Sequence, residues 1–413
     1  MTAPARPLNI LFVSHTYIGG PFVVGSHHLA REMSKMGHRV LHLSTSVTPA
    51  HLMKMKEPPI KDRLAQWRNI RKQSGRMIHG VPMSLVPWPL ASAIYRRTGI
   101  NLFVRSIAFP SIRKLLGMYR FSEVDLLLID QPYFAGIEKQ LKAKVVIYRP
   151  TDNYADMHGD RTVEIAEKEI ISRAHGVVAT SEPVLANARR HKSDMPAIVL
   201  ENGVEFAHFE RARPEPDDLK EIPGPRAIYA GAVDERFDMA AVKRLAERSP
   251  SLSVVVIGPC DPAFVRTQGF PGNVFFLGAK AYDDLPAYLQ HADLALLPLS
   301  DHKANLGRSP MKLYEYAAAG LPTVVKETPE LRRRGEDFLY FYKDADSFAE
   351  RVGQVLRKLD RGEIARGRIV EAARKQSWRT KAEQIIDFGG RLSGSRPFQG
   401  EPRALTAEKS FSG

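Results

Sequence analysis

Short runs rich in β-branched and apolar residues alternate with longer amphipathic stretches along nearly the whole chain, and this alternation most narrows its possible folds. Such a pattern predicts parallel sheets covered by helices on both faces, because each crossover between parallel strands needs a helix and leaves the strands buried on both sides. Strands are predicted at 9–14, 39–43, 81–86, 125–129, 145–148, 176–180 and 197–200, and again at 227–230, 252–257, 274–277, 294–297 and 323–325. Helical patterns lie near 239–247, 282–291 and 311–319, with longer ones at 345–358 and 363–386. Between the two series, 211–226 holds Pro214, Pro216, Pro223 and Pro225 with Glu215, Asp217 and Asp218 and shows no apolar periodicity, which marks a linker. The expected fold class is therefore α/β, two doubly wound domains facing each other across a cleft. The domains are expected at 1–210 and 227–387, followed by a disordered tail at 388–413 rich in Gly, Ser, Pro and charge.

Composition removes several alternatives. At 44% hydrophobic and 26% charged residues, the chain is neither disordered nor fibrous. Cys260 is the single cysteine, so no intramolecular disulfide is available and a reducing cytoplasm is the expected compartment. No run approaches the roughly 18–20 apolar residues of a membrane-spanning helix, and the apolar stretch 8–13 is too short for a signal-peptide core. The net charge of +14 is concentrated: residues 51–120 carry fourteen Lys or Arg against Glu57 and Asp62. Those cations are interleaved with Met53, Met55, Trp67, Phe103 and Phe109, a mixture that suits an anionic membrane surface. A solvated basic face without a partner is the competing explanation. No nucleic-acid-binding motif accompanies the charge, so nucleic acid is not expected as a partner.

The most informative local pattern is 309–322. Ser309 is placed to cap a helix, Pro310 suits its first position, and Gly320 with Pro322 ends it. The amino end of such a helix attracts anions, and Lys312 in the first turn adds an ammonium. Met311, Lys312 and Glu315 share one side, so Glu315 can accept ribose hydroxyls one turn from bound phosphates; a plain Lys312–Glu315 surface pair is the alternative. Upstream, Gly231 permits close approach of a ligand, and Asp234, Glu235 and Arg236 crowd the same loop with charge, although acidic residues there also cap the next helix. In the first half Asp152 follows a strand and is a candidate general base, with Asp156 and Asp160 as rivals and a turn-forming role as the alternative. His15, Gly19 and Gly20 follow the first strand on the expected acceptor side; the absence of G-x-G-x-x-G argues against a dinucleotide fingerprint. No metal-ligand spacing is present and no metal cofactor is expected: His27 and His28 are adjacent and fall on different sides of a helix.

These residues resemble bacterial glycosyltransferases of the GT-B fold. Two Rossmann-like halves, Glu201-Asn202-Gly203-Val204, the 231–238 loop and the 309–322 segment carry the likeness over roughly residues 8–386. Within that fold the chain is similar to the xanthan-type glucuronosyltransferases, which implies a UDP-sugar donor, a lipid-linked acceptor, and a place at the inner face of the cell membrane. The family's Tyr-Arg-x-x-Asp segment implies Asp152 as base, and its Ser-x-Met-Lys-Leu segment implies Met311 and Lys312 as donor-binding residues. Where that family has glutamine this chain has Glu315, as in the wider nucleotide-sugar transferases, yet Gly307 stands where the retaining relatives carry a glutamate. Donor sugar and stereochemical outcome therefore stay open. The expected function is sugar transfer from a nucleotide sugar to a lipid-linked or polysaccharide acceptor. The alternatives are a nucleotide-sugar epimerase or hydrolase of the same fold, or a non-catalytic membrane or nucleic-acid adaptor.

Overall fold

The structure, a computed structural model, describes residues 6–20, 23–121, 123–154, 160–305 and 307–394. Its first lobe contains β1 (Asn9–Ser14), β2 (Arg39–Ser44), β3 (Met77–Gly80), β4 (Met83–Ser84), β5 (Ile107–Ala108), β6 (Val124–Ile129), β7 (Ala143–Tyr148), β8 (Gly176–Ala179) and β9 (Ala197–Val199). The second contains β10 (Arg226–Ala230), β11 (Ser253–Ile257), β12 (Val274–Gly278), β13 (Leu294–Leu297), β14 (Thr323–Lys326) and β15 (Leu339–Tyr342). The first sheet runs β3-β2-β1-β6-β7-β8-β9 and the second β12-β11-β10-β13-β14-β15, with parallel neighbours throughout. β4 and β5 pair separately and antiparallel. These are the two doubly wound Rossmann-like domains of a GT-B fold.

Burial on both faces explains why the central strands read as largely apolar runs: every residue of β6 and of β11 is buried, Asp125 and Ser253 included. In each sheet the order reverses beside the first strand, between β1 and β6 and between β10 and β13. Ligands of open α/β sheets collect beyond the strand carboxyl ends at such reversals.

Several expectations need correction. The strand expected at 81–86 is β3, four residues earlier, followed by the short β4. Gly80 ends β3 because its missing side chain makes room for Ile70: a Cβ there would lie 2.5 Å from Ile70 Cδ1. β15 was not expected at all; only Leu339 and Tyr342 of its four residues are buried, which gives little periodicity to read. The single helix expected over 363–386 is two, Arg366–Lys375 and Trp378–Leu392.

That last break has a long-range cause. Val204 N donates to Gln376 O (3.0 Å) and Trp378 N donates to Val204 O (3.1 Å), so the chain pairs briefly with the segment that follows β9 at the point where it crosses back. Ser377 then caps the returning helix by accepting from Thr380 N. Trp378, Ala382, Ile385, Ile386 and Phe388 join Leu8, Ile10, Phe12 and Ile147 in one core. Residues 378–392 thus pack with the first lobe, although they were expected to be split between the second domain and a tail. Phe388 is buried in a helix, and the remainder of the expected tail, 395–413, lies outside the described residues. The expected linker also contributes to a core, since Leu219 and Ile222 are buried against the second sheet. Trp378→Ala is expected to cost about 3–5 kcal/mol, the usual range for deleting a buried large aromatic, read as a lower urea midpoint with unchanged slope.

Candidate active site

The strand ends facing the other lobe bring together Asp152 from the first and a group of cations from the second. Asp152 sits four residues beyond β7 in a turn held from several sides. Tyr154 N donates to Asp152 O (3.0 Å), the Tyr154 hydroxyl donates to Asp130 O (2.8 Å), and Thr180 Oγ1 donates to Thr151 O (2.8 Å). Asp130, at the end of β6, also accepts from Arg149 Nη1 (2.8 Å) in an ion pair whose two side chains are both buried. Burial raises the Asp152 carboxyl above the ordinary range, and the facing charges of Arg308 and then Arg236 pull it back down. A carboxylate so raised holds a proton more tightly, as a general base requires. Of its rivals, Asp156 lies outside the described residues. Asp160 caps the helix Arg161–Arg173 by accepting from Thr162 N and is held below the usual range by that bond and by Trp88 and Arg96, although burial works the other way.

On the other side, Gly231 follows β10. A Cβ at that position would collide with Lys312 Cε and come within 2.8 Å of its Nζ, so the absence of a side chain lets the ammonium lie over the strand end. Gly258, after β11, is equally tight: its φ is +145°, and a Cβ would strike the Gly231 carbonyl. Asp234 grips Arg236, accepting from its Nε at 2.9 Å and its main-chain N at 3.0 Å and pairing with Nη2. Asn305 Nδ2 and Ser300 N both donate to Arg236 O, at 3.0 and 2.9 Å, which fixes the loop. Glu235 is exposed, and its carboxylate favours the Arg236 cation.

Lys312, Arg308 and Arg236 repel one another. Burial pushes the Lys312 ammonium down to about 8; Arg308 adds to this, Glu315 opposes it, and Arg236 adds further. Burial and Arg236 likewise lower Arg308, while Asp152 supports its charge. Glu315 is buried and pushed up to about 7, with Lys312 opposing. An arriving dianion would relieve the mutual repulsion of the three cations, so the cluster favours an anion without the help of a helix dipole.

The dipole reading of 309–322 needs revision for that reason. The helix spans only Lys312–Ala318, and its N-cap position is Met311, with no side-chain cap. Ser309 has stronger calls on its hydroxyl: Oγ accepts from Asn202 N (2.9 Å) and from Arg334 Nη2 (2.9 Å). Met311 packs against the core of the first lobe. Ser309 and Met311 therefore belong to the seam between lobes, while Lys312 lies over Gly231 at the end of β10 and its charge acts on the buried Glu315.

His15, Gly19 and Gly20 lie at the carboxyl end of β1. Gly19, with φ +90°, sits beside Gln66 of the basic helix Pro58–Asn69, and Gly20 rests on Tyr17. His15 is electrostatically coupled to His27 and His42, a buried imidazole group that burial keeps neutral. Arg308 was missed by sequence reasoning. Its only signal is a cation just ahead of the donor-binding segment, and its partner Asp152 lies far away in the chain.

Residues 225–358 match the family Glycosyl transferases group 1. The matched stretch is about a third of the chain and lies in the second lobe. It contains Gly231, Asp234, Arg236, Arg308, Lys312 and Glu315. A curated relative, the putative teichuronic acid biosynthesis glycosyltransferase TuaH of Bacillus subtilis (strain 168), is 25% identical over 244 residues, which cover 56% of this chain and 60% of TuaH. The match thus spans about three fifths of that relative's length. Among solved structures, sucrose-phosphate synthase from Thermosynechococcus elongatus superposes with a TM-score of 0.70 at 15% identity, covering 94% of this chain and 99% of that one. HepE from Anabaena in complex with UDP gives 0.63 at 15% identity, covering 92% and 98%. These likenesses extend over both lobes and establish the shared fold.

Proposed function

We propose that the protein is a glycosyltransferase that moves a sugar from a nucleoside diphosphate to an acceptor hydroxyl held against the first lobe. The observation that carries this reading is the placement of Asp152 opposite Arg308 and Arg236, beside the Lys312 ammonium over Gly231. The acceptor oxygen attacks the anomeric carbon as Asp152 takes its proton, and the bond to the diphosphate breaks with both electrons leaving on the diphosphate oxygen. Lys312, Arg308 and Arg236 stabilise the charge that develops there. Glu315 accepts from the ribose hydroxyls. In this reading those side chains supply the charge stabilisation, and no metal is called for.

The finer assignment is a UDP-linked hexose or glucuronic acid as donor and a lipid-linked or polysaccharide acceptor. It is supported by the UDP complex of HepE, by the teichuronic acid role in the printed name of TuaH, and by the resemblance to the xanthan-type enzymes. A panel of nucleotides and nucleotide sugars screened by thermal shift tests it: UDP and its sugars should raise the melting temperature and other nucleotides should not. Donor breakdown without acceptor would favour the hydrolase alternative.

The same reading places the first lobe at the inner face of the cell membrane. Among the described residues no helix is long and apolar enough to cross a membrane. Met53 is 90% exposed and Phe109 60%, close in sequence to the exposed cations Lys54, Lys56 and Arg113. Each cation near an anionic surface contributes about 1 kcal/mol. Replacing Arg68, Arg71 and Lys72 together by glutamine should therefore weaken binding to vesicles containing anionic lipid by roughly 10²-fold at low salt, with the difference shrinking as salt is added. Equal vesicle binding by the triple variant would contradict the membrane placement.

A further inference from the structure

The segment 307–309 belongs to the second lobe, yet its main chain is held by the first. Ser181 Oγ donates to Gly307 O at 2.6 Å, and Asn202 Nδ2 donates to Ser309 O at 2.8 Å, while Asn202 N reaches Ser309 Oγ at 2.9 Å. Ser181 and Ser309 are both buried. The residue between the two tied positions is Arg308, whose positive charge acts on the Asp152 carboxyl.

Both ties lead back to the turn that carries Asp152. Thr180, next to Ser181, holds Thr151 O, and Asn202 Oδ1 lies 3.5 Å from Arg149 Nη2, three residues before Asp152. There is no slack in this corner: a Cβ on Gly25 would lie 3.0 Å from both Arg149 Nη2 and Asn202 Oδ1. Residues of one lobe thus fix the cation of the other lobe and the carboxylate it faces through a single set of contacts.

We propose that Ser181 and Asn202 are positioning residues that clamp Arg308 on both sides and set it against Asp152 when the lobes are together. This rests on the reading of Asp152 as the base, but the geometric claim can be measured without turnover. Through Arg308 the clamp opposes the upward shift that burial imposes on the Asp152 carboxyl. Releasing the clamp lets Arg308 move away and leaves Asp152 with burial unopposed by its strongest cation. The groups facing Asp152 are Arg308 and Arg236 from the second lobe and Thr151 and Tyr154 from its own turn.

The test is the titration of the Asp152 carboxyl carbon by NMR in the full-length protein without ligand, in the natural chain and in Asn202→Ala, Ser181→Ala and the double variant. The midpoint should rise by about half a unit or more in the double variant, the direction expected when a facing cation is lost. The acid limb of kcat/KM should move with it, and because Arg308 also helps hold the diphosphate, KM for the donor should rise as kcat falls. Ser181 also caps the helix Glu182–Arg189, so Ser181→Ala alone can disturb that helix. Ser181→Thr keeps the hydroxyl and should titrate like the natural chain. An unchanged Asp152 midpoint in a folded Asn202→Ala and double variant would overturn the proposal, as would a shift in Ser181→Thr equal to that in Ser181→Ala. Failure of the base reading is seen separately, as retained transfer by Asp152→Asn, and leaves the NMR result standing on its own.

Discussion

Asp152→Asn is expected to cut sugar transfer by about 10²–10⁴-fold, the range that a positioned general base contributes, while nucleotide affinity stays within about twofold. The asparagine fills the same space and still faces Arg308, so the turn fixed by Thr180, Tyr154 and Asp130 has no reason to move. What is lost is the ability to take the acceptor proton. Initial-rate assays with donor and acceptor, paired with calorimetric titration of the nucleotide, separate the two effects. A variant that transfers at the natural rate would remove Asp152 from the chemistry.

Lys312→Ala is expected to weaken nucleoside diphosphate binding by about 10–100-fold, since a charge-assisted hydrogen bond is worth about 1.5–3 kcal/mol. Arg308 and Arg236 remain, so binding should be weakened and not abolished. The natural protein should show a matching pH dependence. Lys312 is charged below about 8 and neutral above it, so affinity should fall as pH rises through about 8. Glu315 adds the opposite limb: below about 7 its carboxylate takes a proton and becomes a weaker acceptor for the ribose hydroxyls. Binding is therefore expected to be strongest between roughly those two values, measured by titration of UDP across the range. In Lys312→Ala the alkaline limb should disappear, and its persistence there would assign it to another group.

The parts of this structure that were legible in the sequence are those decided locally. β6 and β11 announce themselves because burial on both faces leaves no polar residue facing solvent along the strand, and the two lobes follow from counting such strands. Gly231 and Lys312 could each be singled out because a side-chain-free strand end and a cation near a helix start are local features, while their contact is seen only in the structure. The misses come from contacts between residues far apart in the chain. Ser309 has the residue type of a helix cap, but Asn202 and Arg334 claim its hydroxyl. Amphipathic periodicity runs on through Gln376 and Ser377, but pairing with Val204 interrupts the helix there and sends its second half to the first lobe. Arg308 gains its meaning only from Asp152 across the cleft.

The central claim is that a diphosphate sits against Lys312 in the gap that Asp152 faces. It is tested most directly by titrating UDP into the natural protein and Lys312→Ala at pH 8 in two buffers of different ionisation enthalpy. With its ammonium near half-charged at that pH, Lys312 should complete its protonation when the diphosphate arrives, so binding should take up as much as about half a proton in the natural protein and clearly less in Lys312→Ala. Equal affinity and equal proton uptake in the two proteins, or no binding in either, would contradict the account.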